Sequence, residues 1–84
     1  MVTILYFAWV KERMDRAEEK LTLPQGVATL ANLSAYLRAR DPGGARAFAE
    51  PTLIRAAVNQ DFATPDTPIK DGDEIAFFPP VTGG

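Results

Sequence analysis

Eighty-four residues, of which 46% are hydrophobic and 24% charged, fit one modest domain and exclude a disordered chain. A net charge of −2 offers no basic footprint for nucleic acid or an anionic membrane, and no apolar run approaches the roughly 20 residues that span a bilayer. There is no cysteine and no histidine, so disulfides, thiolate nucleophiles and the commonest metal ligand and general base are all missing, and no metal site is expected.

The first predicted element is a buried strand over Val2 to Phe7, a β-branched and aromatic run (VTILYF). It has no basic stretch ahead of it, so no signal peptide is expected and the default location is cytoplasmic. Val10 and Met14, four apart in AWVKERM, predict a short helical turn. Leu21 and Leu23 alternate around Thr22 before Pro24-Gln25-Gly26, which predicts a second strand and a hairpin-like start.

Thr29 can cap the clearest helix, in which Leu30, Leu33 and Leu37 share one face. Arg38 and Arg40 suit its last turn, and Asp41-Pro42-Gly43-Gly44 is expected to end it. Residues 45–52 are open between loop and one further helical turn. Ile54 to Asn59 predicts a third strand with Ile54, Ala56 and Val58 on one face. The proline-rich stretch Thr64 to Pro68 reads as loop, since each proline removes a backbone donor. Asp71-Gly72-Asp73 is a turn, and Glu74 to Phe78 the final strand. The order is β-β-α-β-β, an α+β domain over 1–84 with one main helix crossing a sheet of four to five strands.

Period 2 sorts the strand faces. Glu74, Ala76 and Phe78 share one face, and the charge of Glu74 marks it as outward. If Thr3 likewise marks solvent, Leu5 and Phe7 point outward too, and Phe62, placed in the loop after the third strand, can join them. Such a cluster would dock a partner. The alternative is that some of these rings pack beneath the proline-rich loop.

Enzymatic signatures are missing. The single serine, Ser34, has no possible histidine partner, and Gly43-Gly44 lacks the spacing of a nucleotide-binding fingerprint. The unusual feature is the ending, FFPPVTGG. Pro79 and Pro80 cannot continue a central strand and favour an extended exit, so 79–84 is expected to be a flexible tail. Gly83 and Gly84 carry no side chains and end in an α-carboxylate; they suit a narrow channel, and the alternative is an inert, frayed end.

DGDEIAFFPPVTGG, Asp71 to Gly84, resembles the C-terminal signature of the molybdopterin synthase small subunit, the MoaD-type sulfur carriers. AAVNQ, Ala56 to Gln60, and ILYFAWVKE, Ile4 to Glu12, are similar to that family as well, whereas 41–53 show nothing diagnostic. The resemblance implies a ubiquitin-like β-grasp fold. It implies that a separate ATP-using enzyme adenylates Gly84 and that a persulfide donor supplies sulfur, leaving a C-terminal thiocarboxylate. Docked in the synthase large subunit, in a heterotetramer, the carrier would pass that sulfur to a cyclic pterin precursor to build the dithiolene. No cofactor is then expected on this chain, and ATP belongs to the adenylating partner. The resemblance implies Gly84 as the reacting residue and Gly83 as the one keeping its path narrow. Phe7, Phe62 and Phe78 fall at positions similar to the family's contact surface. Leu5, which shares their face, and Pro79, Pro80, Val81 and Thr82 of the tail are expected partner contacts too. Lys11 and Arg13 either rim that contact or form a solvated helix face. A thiamin-type sulfur carrier, a ubiquitin-like protein modifier and a non-carrier β-grasp interaction module are the alternatives.

Overall fold

The computed structural model describes residues 1–80. Its elements run β1 (Val2–Tyr6), α1 (Ala8–Met14), β2 (Glu18–Leu21), α2 (Leu30–Arg40), α3 (Pro42–Ala47), a 3-10 turn (Pro51–Leu53), β3 (Arg55–Val58), β4 (Asp61–Ala63) and β5 (Glu74–Phe78). The strands form one mixed sheet in the order β2-β1-β5-β3-β4, with β1 and β5 parallel and the other pairs antiparallel. The last strand in sequence is therefore the middle strand in space.

Alternation decides which face is covered. Val2, Ile4, Tyr6, Ile75, Phe77 and Ala56 are buried and pack with Val10, Met14, Leu30, Leu33, Leu37 and Phe48 from the helical layer. Phe77 sits at the centre of this core. Its ring stacks on Tyr6 with centroids 6.1 Å apart and meets Phe48 edge-on at 5.0 Å. Burying such a ring is worth about 1.5–3 kcal/mol. Among the described residues no helix covers the opposite sheet face, where Thr3, Leu5, Ala76 and Phe78 are half-buried.

α2 forms where its periodicity predicts. Asn32 N donates to Thr29 Oγ1 and Thr29 N donates to Asn32 Oδ1, both at 3.2 Å, a reciprocal cap. The proline-rich loop satisfies two more first-turn donors: Leu30 N donates to the Thr67 carbonyl and Ala31 N to the Pro65 carbonyl, each at 2.9 Å. The loop reading of Thr64 to Pro68 is borne out, and the loop holds the helix start.

Three expectations need correction. The second strand is Glu18–Leu21, so Leu23 lies outside it. An edge strand exposes alternate side chains, and its one inward polar residue, Glu19, is paired instead of replaced by an apolar one. The third strand is shorter than predicted, since Ile54 and Asn59 flank it. Phe62 lies in strand β4, not in a loop; Asn59 and Gln60, at φ of 52° and 72°, make the two-residue turn that returns the chain. The helix α2 does end at Asp41, as expected, but Gly43-Gly44 then lie inside a new helix, α3, whose cap is Asp41 accepting from Gly44 N at 2.8 Å. These glycines permit close packing. A Cβ on Gly44 would stand 1.7 Å from the Leu37 carbonyl oxygen, and one on Gly43 would stand 3.0 Å from that of Met14.

The open sheet face and the base of the C-terminal segment

Backbone pairing lays out the uncovered face in rows. Leu5 pairs with Ala76, Ala76 with Ala57, and Ala57 with Phe62, so these four side chains cross the sheet on one side. In the next row Phe78 pairs with Arg55. Phe7 flanks Phe78 on the other side: its backbone is still extended and its N–H donates to the Phe77 carbonyl at 3.1 Å. The two alanines are small, so the aromatic side chains stand above a low centre.

Exposure follows this layout. Phe62 is 85% exposed and Phe7 48%, while Leu5 and Phe78 are half-buried. The Phe62 and Phe78 rings lie 6.0 Å apart, tilted by 58°. The structure thus brings the four predicted contact residues onto one face, and Phe62 does not pack beneath the proline-rich loop. Pro79 and Pro80 are half-buried. Pro80 lines a pocket of about 410 Å³ with Phe62, Phe78 and Arg55, so the chain leaves β5 on the β3–β4 side. The predicted Val81, Thr82, Gly83 and Gly84 lie outside the described residues.

Arg55 was not singled out from the sequence. The β3 alternation placed it opposite the apolar Ile54-Ala56-Val58 face, but its neighbourhood to Phe78 depends on strand order. Lys11 is exposed on α1, and the Arg13 guanidinium lies 4.3 Å from the Trp9 ring centroid, an exposed cation–π contact worth about 0.5–1 kcal/mol.

The geometry of β5 is secured from behind. Tyr6 donates to Glu19 Oε2 at 2.7 Å, and Arg40 grips both Glu19 oxygens at 2.7 and 2.9 Å. Arg40 Nε also donates to Asp41 Oδ2 at 3.0 Å, joining this cluster to the cap of α3. Burial, then the hydrogen bond to Glu19, pushes the Tyr6 hydroxyl pKa up, and the bonds to Glu19 raise that of Arg40. Against the cost of burial, Arg40 and Tyr6 hold the Glu19 carboxyl below the usual range. The Gly44 N–H lowers that of Asp41. At the other end of β5, Asn59 Nδ2 donates to buried Asp73 at 2.9 Å and Glu74 N donates to Asn59 Oδ1 at 2.9 Å. The bond from Asn59, with that from Lys70 N, lowers the Asp73 pKa. The AAVNQ and DGDE segments therefore meet as a structural clamp at the start of the central strand. These groups are paired with one another and with backbone, and hold the sheet.

The profile of the ThiS family matches residues 4–84. The chain belongs to the ThiS family. Among its relatives, the molybdopterin synthase sulfur carrier subunit of Escherichia coli (strain K12) is 41% identical over 86 aligned positions that cover all of both chains. Among solved structures, the putative molybdopterin converting factor subunit 1 of Pyrococcus furiosus superposes with a TM-score of 0.77 at 29% identity, covering 95% of this chain and 97% of that one. A complex of subunits 1 and 2 of the molybdopterin-converting factor from Helicobacter pylori contains a chain that superposes with a TM-score of 0.65 at 26% identity, covering 99% and 97%. The ubiquitin-like β-grasp architecture of this ThiS-family chain is thereby established, and no helix among its described residues is long and apolar enough to cross a membrane.

Proposed function

We propose that this chain is the sulfur carrier of a molybdopterin synthase, with the Gly84 carboxylate as its reacting group. The observation that carries the reading is the exit of the central strand beside an uncovered aromatic face, in a chain that aligns end to end with a sulfur carrier subunit. An adenylating partner joins the carboxylate to the α-phosphorus of ATP and releases pyrophosphate. Persulfide sulfur then displaces AMP, and cleavage of the S–S bond by a second thiol leaves the thiocarboxylate and a disulfide.

In the second stage Leu5, Phe7, Phe62 and Phe78 dock the large subunit while Pro79 and Pro80 direct the remaining residues into its active site. There the thiocarboxylate sulfur passes to the cyclic pterin precursor, and two such deliveries complete the dithiolene. The catalytic acids and bases belong to the partner, which suits a chain without cysteine or histidine. ATP is held by the adenylating enzyme, and the carrier and large subunit assemble as a heterotetramer in the cytoplasm. Mixing the carrier with its cognate adenylating enzyme, ATP and a sulfur donor tests the reading by intact mass. One oxygen should be replaced by sulfur; an unchanged mass contradicts it.

A further inference from the structure

A second concave surface adjoins the first. On the helix side of the sheet, between α2 and the β3–β4 half, lies a groove of about 790 Å³. Ala31, Ala35 and Ala39, four apart along α2, form one wall, and their small side chains leave the gap to β3 and β4 unfilled. The floor is apolar and comes from Phe48, Ala56 and Phe77.

Two arginines mark the rim, Arg38 on α2 and Arg55 on β3, and no aspartate or glutamate lines the groove among the described residues. Neither arginine has an ion-pair partner among those residues, and Arg55 Nη1 donates only to the Thr52 carbonyl at 3.0 Å. In a chain of net charge −2, this is a local reversal of sign on an apolar concavity. The groove is also continuous with the base of the C-terminal segment. Arg55, Ala56 and Ala63 line both it and the pocket that contains Phe62, Phe78 and Pro80.

From this placement we propose that the docking surface for the large subunit wraps round the start of β3 into the groove. Its occupant there is an apolar segment of that subunit whose carboxylates pair with Arg38 and Arg55. The inference rests on the carrier reading above. Charge complementarity selects an acidic segment, because a guanidinium covered by a partner needs a carboxylate to offset its desolvation. Continuity with the open face selects the same protein that receives the tail.

The test uses Arg38→Glu and Arg55→Glu, with thermal melting to verify the fold and Phe78→Ala as the open-face reference. Each is titrated against the purified large subunit and, separately, the purified adenylating enzyme, at low and high salt. Each charge reversal should weaken binding to the large subunit about tenfold at low salt and less at high salt. Wild-type affinity in both reversals, with Phe78→Ala weakened, overturns the groove and leaves the carrier reading standing. Wild-type affinity in Phe78→Ala strikes the open-face reading instead. Weakening confined to the adenylating enzyme overturns the assignment of the occupant.

Discussion

Phe62 on the edge strand and Phe78 on the central strand place their rings 6.0 Å apart across the low alanine at position 57, and the first of them is 85% exposed. An exposed aromatic adds little to its own fold, so its contribution should appear in binding. Phe62→Ala should leave the melting temperature nearly unchanged and weaken large-subunit binding by about 1–3 kcal/mol. A cycle with Phe78→Ala should give a coupling of about 0.5–1.5 kcal/mol by calorimetric titration, as for other aromatic pairs.

Gly44→Ala should destabilise strongly, because its Cβ would stand 1.7 Å from backbone at Leu37. Forcing α3 away from α2 should cost at least about 1–3 kcal/mol, lowering the midpoint by on the order of 10 °C in thermal unfolding. Gly43→Ala, with 3.0 Å to the Met14 carbonyl, should cost less.

This pair also shows what the sequence hides. Gly-Gly after Asp-Pro signals the end of a helix by local rules, and only the approach of α1 and α2 reveals close packing. β2 starts earlier than its leucine pattern predicts for a related reason: Glu19 would face solvent in an isolated strand, but Tyr6 and Arg40 satisfy it here. The strands β1 and β5 and the helix α2 were legible because strong alternation and a leucine stripe leave few choices. The outward face of Leu5, Phe7 and Phe78 followed from the same alternation. Arg55 did not, since strand order is a long-range property.

Stability should fall on the acid side. Glu19, Asp41 and Asp73 all have folded pKa values below their unfolded ones. Their contribution is fully present above the unfolded carboxylate range, near pH 4, and is lost as the pH drops through the folded values. Asn59→Ala removes a donor to buried Asp73 and places alanine at φ 52°. It should cost about 1–3 kcal/mol and move the start of acid unfolding to higher pH, followed by circular dichroism.

Tyr6 acts at the other end of the scale. Its pKa is raised by burial and by Glu19, so the stability it supplies is complete below the ordinary tyrosine value near 10 and is lost as pH rises beyond it. Tyr6→Phe should remove that alkaline loss in a denaturation series while retaining the stack on Phe77.

The most direct measurement of the central claim is the mass of the C-terminal peptide after reaction with the cognate adenylating enzyme, ATP and a persulfide donor. The account predicts one oxygen replaced by sulfur at Gly84, and no such exchange when a single residue is appended after it, although the extended chain should still fold. Sulfur incorporated elsewhere in the chain, or equal incorporation in the extended chain, would contradict it.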